Sequence, residues 1–196
     1  MKQRKSKIKR ETSETDISLS VNLDGKGKYN IQTGIGFFDH MLELLSKQSL
    51  IDINIISKGD LDVDEHHTVE DIGICLGQAI KKALGNKKGI QRYGFLLPMD
   101  ETLAEVAIDI GGRSYVVWNV KFRREKIGDM STELFEDFFR SVADNLQANI
   151  HINIKYGRNE HHMVEAIFKA FARTLKMAAE NDPRMKNILP TTKGTL

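Results

Sequence analysis

His66-His67-Thr68-Val69-Glu70 and His161-His162-Met163-Val164-Glu165 repeat one five-residue pattern 95 positions apart, 66 to 161, and hold four of the chain's six histidines. Any fold for this chain must present the same motif twice. On a helix turning about 100° per residue, the two histidines and the glutamate of each copy point to roughly 0°, 100° and 40°, one common face. Each copy therefore offers half of a metal site. Neutral imidazole together with carboxylate suits Mn, Fe, Co, Ni or Zn better than softer ions. One HHxxE alone is weak evidence against a polar helix face, but two copies at identical spacing favour ligation. The competing reading is a polar contact between oligomer subunits.

The repeat reaches beyond these motifs. Ile17, Leu19, Val21 and Leu23 alternate as in a half-buried strand that ends at Asp24-Gly25; Ala104, Val106, Ile108 and Ile110 do the same 87 residues later, 17 to 104, and end at Gly111-Gly112. Glu14-Thr15 precedes the first run and Glu101-Thr102 the second. Phe37-Phe38-Asp39-His40-Met41-Leu42 and Phe135-Glu136-Asp137-Phe138-Phe139 each open a helical stretch. Each is followed by a strand, at 51–55 and 150–154, and then by an HHxxE helix. The order strand, strand, helix, strand, helix, taken twice, predicts an α+β fold built by internal duplication, with helices on one face of each sheet. The charged stretch at 121–129 adds a loop or hairpin to the second half. The expected divisions are a basic mobile arm at 1–9, a first half at 10–95 and a second half at 96–196, packed as one unit. A pseudo-twofold would relate the two HHxxE helices, and leaves open whether they meet within one chain or across a subunit boundary.

A chain of 196 residues suffices for one sizeable core. A net charge of +2 makes no general case for nucleic acid. Lys2, Arg4, Lys5, Lys7, Lys9 and Arg10 concentrate charge at the start, and a solvated arm is preferred there to a nucleic-acid arm or a presequence. No apolar run approaches a membrane span. The single cysteine, Cys75, excludes an intrachain disulfide and lies in an apolar stretch, so a small buried thiol is expected, with the cytoplasm as compartment.

The two HHxxE segments, GFFDHML at 36–42, DETLAEVAIDIGGRSY at 100–115 and the tail Leu189-Pro190-Thr191-Thr192-Lys193-Gly194 together resemble the imidazoleglycerol-phosphate dehydratases of histidine biosynthesis, from about Arg10 onward. The resemblance implies two Mn²⁺ ions per active site, held by His40, His66, His67, Glu70, His161, His162 and Glu165. It also implies a homo-oligomer, a 24-subunit shell with sites shared between neighbours. Where relatives carry a further histidine, this chain has Asp137, either a carboxylate ligand or a solvated residue at a helix start. The first motif is expected to partner His40 and the second Asp137. Leu44 replaces a glutamine found in many relatives and fits an apolar helix face with Met41 and Leu45.

The implied reaction removes water from imidazole glycerol phosphate to give imidazole acetol phosphate through an enol, without a redox step. Ions at the two imidazole nitrogens would make the ring electron-rich enough to expel the neighbouring hydroxyl. Glu14 and Glu165 are the candidate acid-base residues, Glu165 with the alternative of ligation alone. Arg92, Arg113, Lys169, Thr191, Thr192 and Lys193 are implied as substrate phosphate binders. A salt bridge to Glu165 is the simpler reading of Lys169, and a packed structural histidine that of His151. Two rival functions remain from the residues alone: a two-metal hydrolase, and an all-helical metal-binding assembly.

Overall fold

The computed structural model of the chain describes residues 4–196. Its first half runs β1 (Lys5–Glu11), β2 (Thr15–Asn22), β3 (Tyr29–Gln32), α1 (Gly36–Ser49), β4 (Asp52–Gly59) and α2 (His66–Leu84). The second runs β5 (Tyr93–Met99), β6 (Thr102–Asp109), β7 (Tyr115–Asn119), a short β8 (Lys126–Ile127) and β9 (Met130–Ser131), α3 (Leu134–Leu146), β10 (Asn149–Tyr156) and α4 (Glu160–Ala179), followed by a 3-10 turn at Pro183–Met185. Strands are ordered β1-β2-β4-β3 in one sheet and β5-β6-β10-β7 in the other. Position by position the two orders are the same, so the duplication extends to topology. The fold is α+β as expected, and its sheets rule out an all-helical assembly.

Alternation explains the layering. Ile17, Leu19 and Val21 of β2, and Ala104, Val106 and Ile108 of β6, are buried, while the residues between them face outward or lie half-buried. Each sheet thus covers helices with one face only. β3 and β4 run parallel, as do β7 and β10, which requires the helical crossovers α1 and α3 between them. The helices also pack across the halves, α2 against α3 and α1 against α4. Phe38, Phe135, Phe138, Phe139, Phe168 and Phe171 are fully buried in this helical layer. The Phe138 and Phe168 rings stack at 5.5 Å, and Phe139 stands 5.1 Å from Phe168.

Gly73 and Gly77 let α2 approach α3 closely. A Cβ at Gly77 would lie 2.7 Å from the Val142 carbonyl oxygen and 2.9 Å from the Asn145 Cβ, both on α3. Neither neighbour is the end of a flexible side chain, so the helices would have to separate. Gly77→Ala is expected to destabilise the protein by about 1–3 kcal/mol through overpacking, read as a lower denaturant midpoint. An unchanged midpoint would show that this contact is not tight in solution.

Two expectations change. The segment read as a mobile arm is strand β1, paired with β2 from Lys5 opposite Asn22 to Glu11 opposite Asp16. Lys5, Lys7 and Lys9 face outward, whereas Ser6 donates to the Ala79 carbonyl at 2.6 Å and Arg10 meets the buried Asp71 at 2.8 Å. Charge on alternate positions decorates a strand here and does not dissolve it; Met1–Gln3, with Lys2, lie outside the described residues. The first half also has three strands before its first helix, and the second has three plus the short β8 and β9, where the sequence pattern indicated two. The stretch at 121–129 contributes β8 to a small hairpin, and Leu44 packs against the core as anticipated. Cys75 is fully buried, and its apolar surroundings push the thiol up to about 11. Among the described residues no helix is long and apolar enough to cross a membrane.

Candidate active site

Both HHxxE motifs sit at helix beginnings, where loop side chains satisfy the free backbone N–H groups. At α2 the Asp64 carboxylate accepts from the His66 N–H at 2.8 Å; at α4 the Asn159 side chain accepts from the His161 N–H at 3.0 Å. Each motif therefore projects its histidines from a fixed first turn. The His66 and His67 rings stand 5.9 Å apart, those of His161 and His162 6.2 Å. Glu70 is exposed beside the first pair.

The helix packing decides which donors meet. His66 Nδ1 lies 3.9 Å from Asp137 Oδ2, brought there by α3 against α2. His40 on α1 lies beside His161 on α4, with rings 6.3 Å apart. Within one chain the pairing is thus crossed: His40 neighbours the second motif and Asp137 the first, the reverse of the sequence expectation. Sequence order suggested that each half keeps its own partner, but the helices interlock between halves. His161 Nε2 lies 3.9 Å from Glu165 Oε2 and its ring 5.2 Å from that of Phe37.

Glu14 occupies the tip between β1 and β2, where Thr12 Oγ1 accepts from the Glu14 N–H at 3.1 Å and the Glu14 carbonyl accepts from the Asp60 N–H at 3.1 Å. Its carboxylate points to the first motif, 3.7 Å from His67 Nε2. The other ring nitrogen, His67 Nδ1, is 3.0 Å from Asp60 Oδ2, and this hydrogen bond raises the imidazole above its ordinary value. His162 Nδ1 is likewise 2.9 Å from Glu101 Oε2. That contact raises His162 and, with the Asn159 N–H on the other oxygen, holds the Glu101 carboxyl down to about 2.

Imidazoles and carboxylates at these places fit a hard or borderline divalent cation by donor type. They come in twos. Among the described residues of one chain, no three His, Cys, Asp or Glu side chains converge on one point as a shell would require.

A second feature gathers residues remote in sequence. Arg92, Gly111, Gly112, Arg113, Thr191, Thr192 and Lys193, with Thr195 and Leu196, line a cleft of about 560 Å³. Gly112 has φ +86, and a Cβ there would lie 2.6 Å from the Leu196 backbone, so the tail can close over it only at glycine. Arg92 is committed to neighbours: Nε and Nη2 bond the Asp109 carboxylate, the latter at 2.8 Å, and Nη1 donates to the Pro190 carbonyl at 3.0 Å. Lys169 does not line this cleft. Its ammonium lies 2.6 Å from Glu165 Oε1, the salt bridge that the four-residue spacing anticipated. His151, expected to be packed, is exposed on β10 with its ring 6.5 Å from that of Tyr115, because the strand alternation turns it to the outer face.

Asp60, Glu101 and Asp109 carry contacts that sequence reasoning did not assign. Only Glu101 had a signal, its match to Glu14 in the repeat.

A family model described as imidazoleglycerol-phosphate dehydratase matches residues 33–175. The imidazoleglycerol-phosphate dehydratase of Brucella suis is 56% identical over 194 residues, covering 98% of this chain and 96% of that protein. That of Granulibacter bethesdensis is 54% identical over 194 residues, covering 98% and 99%. The crystal structure of the Staphylococcus aureus enzyme superposes with a TM-score of 0.83 at 41% identity, over 91% of this chain and 99% of that one. The Pyrococcus furiosus structure gives 0.82 at 33% identity, over 96% and 100%. Full-length relatives named as dehydratases leave no ground for the hydrolase reading. With paired motifs, duplicated fold and full-length similarity in agreement, the chain belongs to the imidazoleglycerol-phosphate dehydratase family, hydro-lyases of histidine biosynthesis.

Proposed function

We propose that the chain converts D-erythro-imidazole glycerol phosphate to imidazole acetol phosphate and water as a Mn²⁺-dependent enzyme. Its sites lie between subunits of a cytoplasmic homo-oligomer, a 24-subunit shell. The observation that carries this reading is the placement of Glu14 at 3.7 Å from His67 Nε2, beside metal donors that are paired but incomplete within one chain. His40, His66, His67, Glu70, Asp137, His161, His162 and Glu165 would hold two ions per site. Bound there, the ions would supply Lewis acidity to the substrate's imidazole ring.

Glu14 is the acid-base residue. The carbinol C–O bond breaks first, the hydroxyl leaving as water with a proton drawn from solvent. The Glu14 carboxylate then takes the proton from the adjacent carbon to give the enol and returns it to the carbon beside the ring, while the enol O–H gives its proton to solvent as the ketone forms. Glu165 has one oxygen committed to Lys169, which suits a ligand held in place better than a mobile proton carrier. The hairpin tip positions Glu14 through backbone contacts with Thr12 and Asp60, so the base is set by rigid neighbours. Arg113, Lys193, Thr191, Thr192 and the remaining N–H groups of Arg92 offer the cleft's donors to a phosphate dianion. Lys169 adds charge from the side of the helix motif.

The test is turnover by the full chain with imidazole glycerol phosphate, before and after metal removal. Ketone formation should require Mn²⁺, and chelation should both stop it and dissociate the large assembly seen by sedimentation. Full activity in a metal-free, intact assembly would overturn the reading.

A further inference from the structure

The two halves can be aligned residue by residue where the motif histidines are held, and the alignment exposes an exchange of roles. Thr15 pairs with Gly59 at the end of β4. In the second sheet a register shift between Ile154 and Tyr156 sets Leu103 opposite Tyr156, which makes Gly157 the counterpart of Gly59 and Thr102 that of Thr15. The close contacts agree: a Cβ at Gly59 would meet Thr68 and Thr15, and one at Gly157 would meet Thr102 and Met163. Thr68 and Met163 are the third residues of the two motifs. The residues that follow the glycines, Asp60 and Arg158, are therefore counterparts, as are Glu14 and Glu101.

In the first half the residue after the glycine is a carboxylate, and Asp60 takes the Nδ1 side of His67 at 3.0 Å. This leaves Glu14 free to face Nε2 of the same ring. In the second half that residue is Arg158, which has no acceptor to offer an imidazole N–H. Glu101 takes over, reaching His162 Nδ1 at 2.9 Å with one oxygen and the Asn159 N–H at 2.9 Å with the other. Anchored at both oxygens, Glu101 cannot face substrate as Glu14 does.

Resting on the metal reading above, we infer that Asp60 and Glu101 are positioning residues that hold His67 and His162 as Nδ1–H tautomers with Nε2 presented for ligation, and that the second half has given up its counterpart of Glu14 to this task. Each chain then carries one proton-transferring hairpin glutamate, not two. Carboxylates behind metal-binding imidazoles set ring orientation and strengthen the donor, and their loss typically weakens metal binding about 10–100-fold.

The experiment compares the unmodified full chain with Glu101→Ala, Glu101→Gln and Glu101→Leu. It uses Mn²⁺ titration, and ¹⁵N resonances of the histidine rings in the metal-free protein. Glu101→Ala should lose about 10–100-fold in Mn²⁺ affinity and leave His162 as a mixture of tautomers. Glu101→Gln keeps one acceptor oxygen but turns its amide N–H₂ towards either His162 Nδ1 or the Asn159 N–H, so it should fall between the unmodified chain and Glu101→Ala in both readouts. Glu101→Leu, of similar bulk without an acceptor, repeats the alanine result if truncation unfolds the start of α4. A Glu101→Ala or Glu101→Leu protein that is folded, binds Mn²⁺ as tightly as the unmodified chain and keeps the Nδ1–H form of His162 would overturn the inference. An unmodified chain without Mn²⁺ affinity would instead overturn the metal reading, while the ring resonances still decide the role of Glu101.

Discussion

Glu14→Gln lowers turnover of imidazole glycerol phosphate by about 10²–10⁴-fold, the usual scale for removing a positioned general base. The expected signature is a fall in kcat with little change in KM, Mn²⁺ content or melting temperature. Glutamine has nearly the shape of glutamate, and the contacts that shape the turn, from Thr12 Oγ1 and the Asp60 N–H, involve only the Glu14 backbone. The side chain is about half exposed, so no core packing is lost. Glu101→Gln provides the internal control. Its residue stands at the equivalent hairpin tip but faces Nδ1 of His162, and the substitution should lower turnover far less than Glu14→Gln does. Equal losses from both substitutions would contradict the assignment of Glu14 alone as the proton carrier.

Phe168→Ala costs about 3–5 kcal/mol, the range for truncating a fully buried phenylalanine. The figure is large against a total stability of about 5–15 kcal/mol for a domain. Phe168 lies where α4 meets α3, with its ring 5.5 Å from Phe138, 5.1 Å from Phe139 and 6.4 Å from Phe135. All four rings lie on α3 and α4, so the cavity would open between these two helices of the second half. The check is equilibrium denaturation, where a midpoint shift below about 1 kcal/mol would show that neighbouring rings collapse into the space.

How far these properties were legible depended on whether one strand or helix contained the signal. β2 and β6 announce themselves because Ile17, Leu19, Val21 and their counterparts alternate cleanly. β1 does not, because Ile8 is its only large apolar residue and its inward positions are otherwise Ser6 and Arg10, buried by a hydrogen bond and an ion pair. The four-residue β3 is too short for periodicity to register. The candidate metal donors were visible as a repeated pattern, yet their neighbours were not, since the meeting of His66 with Asp137 and of His40 with His161 follows from α2 packing on α3 and α1 on α4. The basic cleft came from resemblance alone. Arg92, Arg113 and Lys193 look like surface charge until the tail folds across Gly112. Asp60 escaped notice because nothing in its local sequence tells that its carboxylate turns back to the following helix.

The central claim is that each chain presents two incomplete sets of donors and that a site forms where one set meets the other set of a neighbouring subunit. Co-assembly of His66→Ala chains with His161→Ala chains tests it directly. Each variant alone should be inactive. In a random equal mixture reassembled with Mn²⁺, about a quarter of the sites should combine an intact first set with an intact second set and recover activity. A mixture as inactive as its components at every ratio, with assembly confirmed by sedimentation, would contradict the account, because sites built within single chains could not be rescued by mixing.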